Sequence, residues 1–228
     1  MDALYSAIIS MELFSKALMG AGAAFTGAVI YANLPTRLTI GAIAPTVAHL
    51  HAAKLIKVDD ENNIDRSKIV TGASLLSSPT MVMAVRRPGC ILCRREAAHL
   101  SELKPLLDQE GIKFYAVVHE SKGVNAFKPY FKGDVYFDTE RTFYGPNERW
   151  LPVWMGALRP HTYISGYKSK KEGFAGNMEG EGRLLGGVYF VDGDRMVYAH
   201  LEKEWGDAAN IDEVKKAILS YKEEKKQK

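Results

Sequence analysis

Arg86-Arg87-Pro88-Gly89-Cys90-Ile91-Leu92-Cys93-Arg94-Arg95 joins the apolar run Met81-Val82-Met83-Ala84-Val85 to a segment with helical spacing, and it holds the only two cysteines in the chain. A C-x-x-C between a strand and a helix suits reversible dithiol/disulfide chemistry, because a helix N-terminus offers unpaired backbone N–H groups and positive potential to a thiolate. A free thiol, with a pKa of ~8.5, is only a few per cent ionised at neutral pH, whereas cysteines in this setting reach roughly 3.5 to 7.5. Cys90 is expected to cap the helix at its exposed end and to attack. Cys93 sits one turn further in and resolves, since a Cα separation of ~5.5 Å suits a disulfide. Of the four flanking arginines, Arg87 and Arg94 are the expected stabilisers of the thiolate, with Arg86 and Arg95 facing solvent.

Outward from the cysteines the pattern is that of an α/β domain. Met81–Val85, unbroken by a polar residue, predicts a strand covered on both faces. Leu92, Glu96, Leu100, Leu103 and Leu107 follow steps of four and three and predict a helix with one largely apolar face, kinked at Pro105 and stopped at Gly111. Residues 112–118 and 134–137 read as further strands, and strand–helix–strand implies a parallel, right-handed unit. Lys54-Leu55-Ile56-Lys57-Val58 is a candidate first strand. Residues 187–191 and 195–200 flank Asp192-Gly193-Asp194, a hairpin signal. Ile211, Val214, Ile218 and Tyr221 mark a closing amphipathic helix that dissolves into the Lys222–Lys226 tail. The stretch 141–181 holds Trp150 and Trp154 without a clean period and reads as helix and loop; these tryptophans and Trp205 are expected to be packing groups. No repeat is visible.

With 228 residues the chain can bury a self-sufficient core. Its 30 Lys+Arg against 27 Asp+Glu leave +3, too small and too interspersed a surplus to indicate nucleic acid. Two cysteines are too few for a secreted disulfide scaffold and fit a redox pair in a reducing compartment, with cytoplasm the default. Ala17 to Thr36 carries no charge and approaches the ~20 residues of a membrane span. A packed or surface-bound helix, a membrane anchor and a cleaved signal all fit that length, so membrane contact through 17–36, or secretion, stands beside the cytoplasmic default. Asp2 and Glu12 against Lys16 make a poor basic start for a signal peptide. Pro35 and Pro45 punctuate a linker-like stretch. The organisation expected is an apolar helical extension with linker over residues 1–50 and the α/β domain over 51–228.

Competing readings of the cysteines are weaker. Zinc needs four ligands, and His99, His119, His161 and His200 lie scattered without metal spacing, so no metal site is expected. Two inert core cysteines would be common by spacing alone, but not between a strand and a helix.

Several segments carry a resemblance to a known family: Met83–Arg94, Tyr115–Val118, Pro129-Tyr130-Phe131-Lys132-Gly133, Phe143-Tyr144-Gly145-Pro146 and the glycine-rich run Gly173–Gly182. Together, over about residues 81–207, they resemble the peroxiredoxin-like 2 family. The resemblance implies a thioredoxin-like fold, a central mixed sheet flanked by helices, with a redox-active Cys90/Cys93 pair and an antioxidant role in cellular redox balance. No bound cofactor is expected; reducing equivalents would come from a thiol reductant protein or small thiol, thioredoxin or glutathione, and the substrate would be a peroxide or a disulfide. A relative in the resemblance, prostamide/prostaglandin F synthase, reduces a lipid endoperoxide with an equivalent pair, which gives an alternative enzymatic reading. A non-enzymatic reading is a signalling adaptor whose disulfide switches a binding surface in 141–181. Arg87 stands where typical peroxiredoxins place a Thr, and Leu185-Gly186-Gly187 stands where thioredoxin has its cis-proline loop.

Overall fold

The computed structural model describes residues 2–227, with side chains from residue 11 onward. Seven strands form one sheet: β1 Lys54–Lys57, β2 Ile69–Thr71, β3 Thr80–Val85, β4 Lys113–Val118, β5 Asp134–Asp138, β6 Gly187–Asp192 and β7 Arg195–Leu201. Their spatial order is β2-β1-β5-β4-β3-β6-β7. The centre is parallel, β3 pairing with β4 in the register Thr80↔Lys113 to Val85↔Val118 and β4 with β5. Both flanks are antiparallel, β3 to β6 on one side and β5 to β1 on the other. This mixed sheet, with a strand–helix–strand unit followed by a hairpin and a closing helix, is the thioredoxin-like arrangement.

The helices are α1 Asp2–Ala32, α2 Val47–His51, α3 Gly72–Leu75, α4 Ile91–Glu102, α5 Lys104–Gln109, α6 Val124–Phe127, α7 Val153–Ala157, α8 Pro160–Lys171 and α9 Ile211–Lys226. All six residues of β3 are buried, as its unbroken apolar run predicts, because both faces of the sheet are covered. Met81, Met83 and Val85 meet one core with Cys93, Ala97 and Leu100 of α4 and Val214, Ile218 and Tyr221 of α9. Val82 and Ala84 point the other way, into a second core with Leu50 of α2, Leu75 of α3, Phe143 and Tyr144. The Tyr144 hydroxyl donates to the carbonyls of Val85 (2.8 Å) and Val117 (3.0 Å), tying together the C-terminal ends of β3 and β4, where the cysteines begin.

Two expectations are corrected, and one strand is added. The leucine-spaced helix is two helices: α4 ends at Glu102, and α5 restarts at Lys104 with Pro105 in its first turn. Pro105 has no N–H for the carbonyl of Ser101, and a proline in a first helical turn forgoes nothing, so the chain breaks before it and starts again. The closing helix does not dissolve at Lys222 but runs to Lys226. Asn210 caps it, accepting from Asp212 N (2.9 Å) and Glu213 N (3.3 Å), and acidic first and basic last turns both favour the helix dipole. The polar stretch after β1 also hides a strand, β2, three residues long at the sheet edge, too short and too exposed to carry a period.

The first fifty residues are of two kinds. Met11–Gly27 of α1 is exposed throughout. Ala32, by contrast, is buried against Leu151, Met155 and Leu185, and Val47 and Leu50 belong to the second core.

Candidate redox site at the end of the central strand

The chain leaves β3 at Val85 and turns through Arg87-Pro88-Gly89-Cys90, where the Cys90 N–H donates to the Arg87 carbonyl (3.1 Å). This turn brings the residues beside it together. Cys90 is the N-cap of α4, as its spacing predicts, with extended backbone (φ −74°, ψ 129°), and Arg94 N closes the first helical turn onto its carbonyl (3.0 Å). It is not at an exposed end, however: Cys90 is only 4% exposed and Cys93 3%. A covering loop causes this. Asn177 N donates to Gly89 O (2.7 Å), and a Cβ on Gly176 would stand 2.4 Å from Ile91 N, so only glycine lets this backbone lie on the helix start.

The arginines divide differently from the sequence expectation. Arg86, expected in solvent, is buried, and its Nη2 donates to Cys90 Sγ at 3.1 Å. The other donors of the same guanidinium go to Glu202 Oε1 (3.0 Å) and Gly182 O (3.0 Å), so its plane is fixed from three directions. Glu202 in turn accepts the Gly186 N–H through Oε2 (3.0 Å). Arg87 and Arg94, the expected stabilisers, are both buried and hold backbone. Arg87 donates to Asn177 O (3.1 Å), and Arg94 to Pro88 O (3.1 Å) and Ala175 O (3.0 Å), pinning the covering loop and the turn. Arg87 keeps a smaller, through-space influence on Cys90. Arg95 faces outward and pairs with Glu172 (2.7 Å).

The two sulfurs titrate apart. The Cys93 thiol, donating toward Cys90, and then the Arg86 charge hold Cys90 well below the usual thiol range, against the cost of burial. The same hydrogen bond, together with burial, pushes Cys93 well above it. The Cys93 N–H lends a little to Cys90, but no backbone N–H reaches its sulfur as a capping bond, so the helix terminus is the lesser contributor. Cys90 is therefore the more acidic of the two thiols and Cys93 the less acidic.

Sequence reasoning missed Arg86, Glu202, Glu96 and the covering loop. The Pro-Gly pair signals a tight turn that brings Arg87 and Cys90 together, but nothing local tells that Arg86 reaches the sulfur. Glu202, 116 residues from Arg86, had no local signal. Glu96, one turn beyond Cys93, accepts the Ala209 N–H (2.9 Å), and burial, with Glu202 nearby, raises its pKa to about 8. Among the described residues no cluster of His, Cys, Asp and Glu is arranged to hold a metal.

Beside Cys90 opens a cleft of about 540 Å³, within the range of small-molecule sites. Ile91, Leu92, Val153, Met178 and Trp205 give it apolar walls, and Arg86, Arg87 and Arg183 line it with Glu181, which pairs with Arg183 (2.6 Å).

Comparison with known proteins settles the lineage. Peroxiredoxin-like 2A of Xenopus tropicalis is 38% identical over 224 residues, covering 96% of both chains. The chain belongs to the peroxiredoxin-like 2A family. Peroxiredoxin-like 2A of Rattus norvegicus is 44% identical over 146 residues, a match spanning 62% of this chain and 63% of that protein, under two thirds of its length. The AhpC/TSA antioxidant enzyme family matches residues 99–204, a stretch that begins just after the cysteine pair. A solved peroxiredoxin-like protein from Aquifex aeolicus superposes with a TM-score of 0.49 at 18% identity, covering 79% of this chain and 90% of that one. Membership in the peroxiredoxin-like 2A family supports a redox antioxidant role.

Proposed function

We propose that the protein is a thiol redox-regulatory antioxidant in which Cys90 attacks and Cys93 resolves. The observation that carries this reading is the buried guanidinium of Arg86 on Cys90 Sγ, with the Cys93 thiol facing the same sulfur. A fixed cation and a fixed S–H leave one sulfur ionised and nucleophilic while the other keeps its proton.

With a peroxide, the Cys90 thiolate attacks one peroxide oxygen and the O–O bond breaks. Cys90 becomes a sulfenic acid, and the leaving alkoxide takes a proton to depart as an alcohol. Cys93 then attacks the Cys90 sulfur, water leaves, and a Cys90–Cys93 disulfide forms. Two thiols of a cellular reductant, thioredoxin or glutathione, return the pair to the dithiol and leave as a disulfide. With a protein disulfide, the first step is instead a mixed disulfide at Cys90, which Cys93 releases.

The apolar cleft beside Cys90 favours a second reading, reduction of a lipid endoperoxide, because its walls suit an apolar body larger than hydrogen peroxide. NADPH consumption through thioredoxin and its reductase, with hydrogen peroxide, a protein disulfide and a lipid endoperoxide in turn, separates these substrates.

The proposal is tested by trapping. Cys93→Ser should accumulate adducts on non-reducing gels, because attack remains while resolution is lost; Cys90→Ser should trap few and abolish turnover. More adducts from Cys90→Ser would reverse the roles, and none from either would make the pair structural.

A further inference from the structure

Apolar surface that the thiol chemistry does not use gathers around the root of α1 and the face of α7 and α8. Met11–Ala32 is 22 residues long with Glu12 and Lys16 its only charges, and these two pair with each other at 2.7 Å. At ~1.5 Å per residue this helix would be about as long as the ~30 Å hydrocarbon core of a bilayer. Leu13, Phe14, Leu18, Met19 and Phe25 stand in solvent along it. Its C-terminal end is fastened to the domain. Tyr31 stacks on Trp154 (centroids 6.2 Å apart, planes 20°), Asn33 Nδ2 donates to Leu158 O (3.0 Å), and Arg159 Nη2 donates to Leu34 O (3.0 Å).

That attachment point continues into an unusual surface. Val153 and Trp154 of α7 and Tyr163, Ile164 and Tyr167 of α8 are 46% to 70% exposed. Tyr163, Ile164, Tyr167, Lys168 and Lys171 follow three-and-one spacing, so they form one stripe of α8, and the Tyr163 hydroxyl ties that stripe to Ala157 O at the end of α7 (2.7 Å). Lys168, Lys170 and Lys171 are exposed at the end of the stripe, with no ion pair among the described residues. The carboxylate that follows them in sequence, Glu172, is occupied by Arg95 (2.7 Å) and His99 (3.2 Å).

We propose that this face rests on the surface of an anionic membrane into which α1 inserts. Aromatic side chains at the foot of an apolar helix belong at the headgroup level, and clustered lysines are drawn to anionic lipid. Continuity with α1 through Tyr31 and Trp154, and the charge of the lysines, select a lipid surface over a second copy of this basic chain. Docking also sets the position of the Cys90 cleft. Val153 belongs both to the exposed face and to the cleft wall, and Thr162 and Gly166 line the cleft from α8, so its rim lies at the headgroup level, open to apolar molecules held in the bilayer. The docking does not depend on the thiol reading.

The test uses the full chain in phosphatidylcholine vesicles with and without phosphatidylserine, the lipid being brominated high in its acyl chains. Tryptophan emission should be quenched, more strongly with phosphatidylserine, and Trp154→Phe should remove most of the quenching. Combined Tyr163→Ser, Ile164→Ser and Tyr167→Ser should cut it several-fold while the protein still floats with the vesicles through α1. Combined Lys168→Glu, Lys170→Glu and Lys171→Glu should abolish the extra effect of phosphatidylserine. Unchanged thiol labelling of Cys90 shows that both combined variants are folded. Emission indifferent to bromination, quenching unaltered in Trp154→Phe, or a lipid-free dimer cross-linked through Tyr163 and Tyr167 would each overturn the proposal.

Discussion

Helix α4 buries Cys93 and Arg94 in 12 residues, while α1, 31 residues long, leaves Leu13, Phe14, Leu18, Met19 and Phe25 in solvent. Each departs from the usual distribution of side chains, in opposite directions. A charge goes inside only when its partners are supplied: Arg94 has the carbonyls of Pro88 and Ala175, and Arg86 has Glu202, Gly182 and the Cys90 sulfur. An apolar helix stays outside only when something other than water receives it. Under the two proposals above, the charge buried around Cys90 serves the chemistry and the exposed apolar surface of α1 meets the partner.

Removing residues 2–28 has the largest expected effect. It takes away the exposed helix but leaves Tyr31, Ala32 and Asn33 on α7. Flotation with vesicles should be lost almost entirely, while melting and Cys90 labelling stay close to those of the full chain. A truncated chain that does not fold would place α1 in the core.

Arg86→Met attacks the buried side. It leaves Glu202 and the thiolate without their shared cation, a loss on the order of 3–5 kcal/mol when one partner of a buried pair is removed. Denaturant unfolding should show that loss, and Arg86→Met combined with Glu202→Gln should recover much of it. The pH at which Cys90 becomes reactive should stay raised in both variants. Recovery of low-pH reactivity in the double variant would mean that Arg86 acts only as scaffold. A smaller loss is expected from Gly176→Val, where a Cβ must displace the α4 backbone near Ile91 N; overpacking of this kind costs about 1–3 kcal/mol. The covering loop should lift, and limited proteolysis should cut faster within 174–182.

The smallest effect is a slope. Glu96 keeps its proton in the fold up to about pH 8, while an unfolded glutamate ionises near pH 4.5. Between these values the folded state binds the extra proton, so the stability due to Glu96 is present at acid pH and is lost as the pH rises through that window. Glu96→Gln cannot titrate, and its melting temperature should fall less between pH 5 and 8 than that of the natural chain. Parallel curves would remove Glu96 from the account.

Much of the fold was legible because it is local. The apolar run of β3, the Asp-Gly turn between β6 and β7, and the C-x-x-C at a strand–helix junction each carry their signal within a few residues. The break at Leu103 and the edge strand β2 were not read, the first because apolar spacing continues across Pro105, the second because three exposed residues have no period. At the site, the cysteines and their helix start were legible, but the partition of the arginines was not. Which of four neighbouring guanidiniums meets the sulfur is set by Glu202 and Gly182, which come from the far end of the chain and reach Arg86 only after the hairpin docks. The covering loop announced itself in glycines at 173, 176, 180 and 182, but the need for Gly176 appears only when the backbone is laid on the start of α4.

Whether Arg86 and Cys93 hold Cys90 as a thiolate is decided by alkylating the fully reduced protein across a pH series and resolving the two cysteines by mass spectrometry. Cys90 should be half-reactive well below the ~8.5 of a free thiol, with Cys93 labelled only at a pH above it. Equal labelling of both at the ordinary thiol pH, or labelling of Cys93 first, would contradict the account.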